Sequence, residues 1–66
     1  MKRKTFLRLK KRFKREWPFG KDDVKRIRYN TFDIGDRILV GATVTKPLLI
    51  VDVTLKNGVT SDIWIS

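Results

Sequence analysis

"LLIVDVTLKNGVTSDIWI", Leu48 to Ile65, joins two β-prone runs through Lys56, Asn57 and Gly58. The length of that turn decides which side chains share a face. A two-residue Asn57-Gly58 turn would pair Lys56 with Val59 and set Val53 opposite Asp62. A three-residue loop pairs Leu55 with Val59, Val53 with Ser61, Val51 with Ile63 and Leu49 with Ile65, so that apolar meets largely apolar. Because a slip of one residue inverts every side chain, this matching selects the three-residue loop. Gly58 is then expected in the left-handed conformation of a bulged turn. The other face carries Ile50 against Trp64 and Asp52 against Asp62.

Upstream, "RILVGATV" (Arg37–Val44) places Ile38, Val40, Ala42 and Val44 on one side, the alternation of a half-buried strand. Gly41 within it marks a bulge or sharp bend, and "TKP" (Thr45–Pro47) ends it. "NTFDIGD" (Asn30–Asp36) carries turn residues at both ends, with Asp33 and Asp36 bracketing Ile34-Gly35. "VKRIRY" (Val24–Tyr29) is rich in strand formers but alternates imperfectly. Four or five short strands in the 43 residues from Val24 to Ser66 suggest a small β-barrel or a strongly curved sheet. "IGDRILV" followed by "VDVTLKNG" resembles the strand-turn-strand pattern of SH3-like small barrels, the Tudor and KOW group, over residues 33–66. Many such barrels bind nucleic acids or peptides, so the resemblance implies a binding module. Tyr29, Phe32 and Trp64 are the aromatic candidates for a Tudor-type cage.

The N-terminal segment follows a different period. Nine of the fourteen residues from Lys2 to Arg15 are Lys or Arg, yet Phe6, Leu9, Phe13 and Trp17 recur at spacings of 3, 4 and 4. That is one apolar stripe on an amphipathic helix over 4–17, with Leu7 off the stripe and Lys10 and Lys14 bordering it. No acid offsets the like charges before Glu16, so the helix needs either the body of the protein or an anionic partner. Pro18 ends it near Trp17, and "PFGKDD" (Pro18–Asp23) is the connecting turn. The stripe should pack on the sheet or plug one end of the barrel, against Ile50 and Trp64.

Charge divides the chain in the same place. Residues 1–28 hold 13 cations against Glu16, Asp22 and Asp23, and residues 29–66 carry a net −1, which together give the +9 of the whole. A basic arm, 1–23, thus joins a near-neutral body, 24–66, within one small compact domain. Such an arm calls for a polyanion or an acidic surface. Arg8, Lys11, Arg12 and Arg15 cover the helix side opposite the stripe and are expected to dominate phosphate binding. Lys4, Lys21, Arg26 and Arg28 would support them, and Tyr29 could stack on a base if exposed. The plainer alternatives are a solvated helix face and an edge strand whose charges block aggregation.

Catalysis is not expected. The chain has no histidine and no cysteine, which removes the commonest general base near neutral pH and the commonest metal ligands. Asp52 and Asp62 form the one carboxylate pair, but no third ligand stands at a telling spacing. Their mutual repulsion calls for a neighbouring cation, expected from the helix. No apolar run is long enough to span a bilayer, and none follows the basic N-terminus as a secretory signal requires. A soluble, cytoplasmic protein is therefore expected, with no cofactor, no metal and no small-molecule substrate.

The sequence reads as an α+β protein, an N-terminal basic amphipathic helix packed on a small SH3-like antiparallel β-barrel or curved sheet. The expected function is non-catalytic binding of DNA or RNA through phosphates, as in a ribosome-associated factor, a nucleoid protein or a viral regulator. The alternative is an adaptor or inhibitor, such as a viral protein, that docks on an acidic surface of a host protein. Membrane association ranks below both, and self-association through an unpaired strand edge is a further possibility.

Overall fold

The structure is a computed structural model that describes residues 1–20, 22–39 and 41–66, with Leu39 by its backbone alone. One helix lies on one sheet, so the molecule is only 15 Å through its shortest dimension. The elements run α1 (Arg3–Arg15), β1 (Val24–Phe32), β2 (Arg37–Leu39), β3 (Ala42–Thr43), β4 (Leu48–Leu55) and β5 (Thr60–Ile65). Antiparallel strands in the order β1-β4-β5 form the main sheet, and β2 and β3 form a separate two-stranded ribbon.

The β4–β5 hairpin has the register that side-chain matching requires. Leu49 faces Ile65, Val51 faces Ile63 and Val53 faces Ser61, while Ile50 faces Trp64 and Asp52 faces Asp62. The loop closes with the Leu55 amide donating to the Val59 carbonyl at 2.8 Å and the Gly58 amide to the Leu55 carbonyl at 2.9 Å. Gly58 has φ 89°, as a bulged three-residue loop demands. A Cβ there is strained by conformation rather than by crowding. Gly58→Ala is therefore expected to cost about 1 kcal/mol and lower the melting midpoint by roughly 4–8 °C, which a thermal melt followed by circular dichroism would measure.

β1 explains its own irregular alternation. Val24 pairs with Leu55 and Arg26 with Thr54, so Lys25 is an extra residue, a β-bulge. The bulge returns Val24 to the side of Ile27 and Tyr29, and all three pack against the main core. The strand also runs three residues past Tyr29, through Asn30 and Thr31 to Phe32. Asn30 does not turn the chain. Its amide donates to the Ile50 carbonyl at 3.3 Å and to Asp52 Oδ2 at 2.8 Å. The turn begins at Asp33, where the Asp36 amide donates to the Asp33 carbonyl at 3.0 Å and Asp36 Oδ2 accepts from the Asp33 amide at 2.7 Å.

Among the described residues no closed barrel forms. The segment expected as one strand from Arg37 to Val44 folds back on itself, with Gly41 at φ 82° in the reversal. Val40, part of the expected alternation, lies outside the described residues. The resulting strands of three and two residues are too short to bridge β1 and β5. Ile38 and Val44 instead cover Leu48, Ile50 and Phe32 in a small second core.

α1 lies on the face of β4 opposite to the one expected. Leu9 and Phe13 are buried against Leu49, Val51, Val53 and Ile65, not against Ile50 and Trp64. Leu49, Val51, Val53 and Leu55 make this the longer apolar face, whereas Asp52 and Thr54 interrupt the other. The helix stops at Arg15 rather than Trp17. Trp17 still reaches the core, edge-on to Phe13 at 5.3 Å and to Phe19 at 5.4 Å between centroids. α1 has no side-chain N-cap and no acid in its first turn, so it begins poorly. Packing of its apolar stripe, rather than its ends, holds it.

Candidate nucleic-acid interface

Docking of α1 determines which cations point outward. With Phe6, Leu9 and Phe13 turned to the sheet, the opposite side of the helix carries Lys4, Arg8, Lys11 and Arg15. Spacings of 4, 3 and 4 align them in one row, about 16 Å long at 1.5 Å per residue. All four are exposed. Among the described residues, no carboxylate lies within ion-pair distance of any of them.

Arg12 stands apart from this row. Its guanidinium donates to the Ser66 carbonyl at 2.8 Å and lies 3.7 Å from Glu16 Oε1. It ties the helix flank to the end of β5. Lys10 is also committed, its ammonium 5.0 Å from the Tyr29 ring centroid and 5.8 Å from that of Phe6. Lys14, absent from the expected site, joins Leu7, Lys10 and Lys11 around a shallow hollow of about 340 Å³. Its position at the border of the stripe was the available signal.

Of the remaining expected cations, Arg26 and Arg28 do not extend the row. Arg26 and Arg28 pair with Thr54 and Asp52, and partners across a sheet share a face. They therefore lie on the face away from α1, open except where Ile38 and Val44 cover it, with the sheet between them and α1. Lys21 lies outside the described residues. Tyr29 is half-buried beneath the helix, edge-on to Phe6 at 5.9 Å and to Phe13 at 6.3 Å, and is not available to stack on a base. Phe32 and Trp64 are on the other face, so the three aromatics do not converge into a cage.

The open face has its own polar centre. Arg28, Asp52 and Asp62 stand in one cross-strand line, and Asn30 donates to Asp52. The expected helix cation is absent because the helix occupies the other face. A hydrogen bond with Asp52 holds the Asp62 carboxyl above its ordinary 3.8, aided by lost hydration and by repulsion from Asp52. A carboxyl raised in the folded state binds a proton that the unfolded chain has lost. Its contribution is present below 3.8 and disappears as pH rises through the raised value. Asp62→Asn is expected to flatten the melting temperature against pH in that acidic window and to raise it slightly at neutral pH. Thermal melts from pH 3 to 7 (roughly the range spanning carboxylate titration) would show this.

No protein-family model, no curated protein and no solved structure matches the chain. Among the described residues, no helix is long and apolar enough to cross a membrane, and no three potential metal ligands cluster.

Proposed function

We propose that the chain is a small non-catalytic nucleic-acid-binding protein whose α1 grips phosphates through Lys4, Arg8, Lys11 and Arg15. The observation that carries this reading is the unpaired, exposed row itself, presented on a helix whose opposite side is buried. A helix held by its apolar side keeps its cations in register without a partner, so less ordering entropy is lost on binding. Phosphate contacts of this kind position a protein but do not read sequence, so affinity should depend little on base composition.

Fluorescence anisotropy with labelled duplex DNA and single-stranded RNA tests the reading. Binding to at least one that weakens steeply between low and physiological salt supports it. Absence of binding to both at low salt would sink it.

Exposed Leu7, half accessible among Lys10, Lys11 and Lys14, favours a second reading, docking on an acidic protein surface with an apolar contact. In that case Leu7→Ala would weaken the complex more than loss of any single lysine.

A further inference from the structure

The two edges of the main sheet differ in how they are guarded. β1 carries the bulge at Lys25, the cations Arg26 and Arg28, and Lys10 of the helix over Tyr29. Such features discourage edge-to-edge pairing. β5, "TSDIWI", carries one charge, Asp62, with Arg12 of the helix only at its end, and has no Lys, Arg, Pro or Gly and no bulge. Among the described residues it has β4 on one side, α1 over one face, and no strand on its outer side.

Hydrogen-bond alternation identifies the free groups of this edge. Leu55 and Val59 form a bonded pair, so Val53/Ser61, Val51/Ile63 and Leu49/Ile65 are the bonded pairs that follow. The amides and carbonyls of Thr60, Asp62 and Trp64 therefore point outward. These three residues are exposed, Trp64 by 54%.

We infer that β5 is a self-association edge, at which a second copy of this chain adds its own β5 antiparallel, with the two-fold axis at Trp64. The inference does not depend on the nucleic-acid reading. Side-chain matching selects the axis, as it selects the hairpin register. An axis at Asp62 would line up four carboxylates, Asp52 and Asp62 of each chain. One at Ile63 would set Asp62 against the partner's Trp64 and Ser61 against the partner's Ile65. At Trp64, the two indoles meet, each Ile63 faces the partner's Ile65, and Asp62 faces the partner's Ser66. Beside Trp64, a hollow of about 320 Å³ walled by Ile38, Val44, Leu48 and Lys46 offers the partner's indole an apolar seat. The interface is isologous and closes after two copies.

Both helices then lie on one side of a six-stranded sheet, and their cations repel. Salt screens this repulsion over a Debye length of about 10 Å at 0.1 M. Dimerisation should therefore strengthen with salt, the opposite sign to phosphate binding.

Sedimentation equilibrium without nucleic acid, across protein concentration and salt, tests the inference. The expected result is a doubling of mass at high concentration, reached sooner at higher salt. Asp62→Pro removes an outward amide and no β4–β5 bond, so it should stay monomeric with an unchanged circular dichroism spectrum. Should that variant fail to fold, Trp64→Lys serves the same purpose. The chain has no other cysteine, so Trp64→Cys should oxidise to a disulfide-linked dimer across the axis. Wild-type protein that remains monomeric at every salt concentration would overturn the inference. So would a folded Asp62→Pro or Trp64→Lys variant that dimerises as readily as wild type.

Discussion

Phe13→Ala is expected to leave the protein substantially unfolded at room temperature. Phe13 is 1% exposed and touches the fold from two directions, the β4–β5 face below it and the Trp17 and Tyr29 rings at its edges. Truncating a buried phenylalanine costs about 3–5 kcal/mol, from lost transfer energy and the cavity left behind. Total stability for a chain of this length is roughly 3–10 kcal/mol, so the loss is comparable to the whole. It falls on the contact that holds α1, whose poor N-terminus and crowded cations give it little stability of its own. Leu7→Ala is the control. It truncates an apolar side chain of the same helix at a half-exposed site and should change stability by less than about 0.5 kcal/mol. Urea denaturation of the two variants beside wild type separates them. Near-equal midpoints would mean that the helix is not docked through Phe13.

The second large effect concerns the outer row. Changing Lys4, Arg8, Lys11 and Arg15 together to Gln removes four phosphate contacts and leaves every buried residue in place. Each contact contributes about 0.9 to the slope of log K against log salt on duplex DNA and about 0.7 on single strands. The slope should therefore become shallower by roughly 3 to 4, and affinity near 0.1 M salt should fall on the order of a thousandfold. Arg26→Gln with Arg28→Gln removes two cations from the opposite side of the sheet and should change the slope little. A loss confined to the Arg26 and Arg28 variant, with the helix variant binding like wild type, would place the interface on the open face instead.

The hairpin was readable because one residue of slip exchanges its faces, and only one loop length sets Val51 against Ile63. Arg8, Lys11 and Arg15 of the row on α1 were readable for a related reason, since helical period alone puts them opposite Phe6, Leu9 and Phe13, while Lys4 on the same side was read only as a supporting cation. The covered face of β4 was harder to read. Leu48, Leu49, Ile50 and Val51 are all buried, so the strand is apolar on both sides at one end. That ambiguity misplaced the helix against Ile50 and Trp64, and with it the relation of Arg26 and Arg28 to the row. The contact of Arg12 with Ser66 was not readable because the two lie 54 residues apart, beyond any local pattern. The barrel expectation failed at Gly41, where a sharp bend and a full reversal have the same residue signature.

Backbone amide shifts during titration with a short DNA duplex at low salt test the central claim most directly. A spectrum of a 66-residue chain resolves each segment separately. Shifts concentrated in α1 at Lys4, Arg8, Lys11 and Arg15, with Arg26 and Arg28 unmoved, are the expected result. Shifts concentrated on Arg26, Arg28 and Trp64, with the helix unmoved, would contradict it.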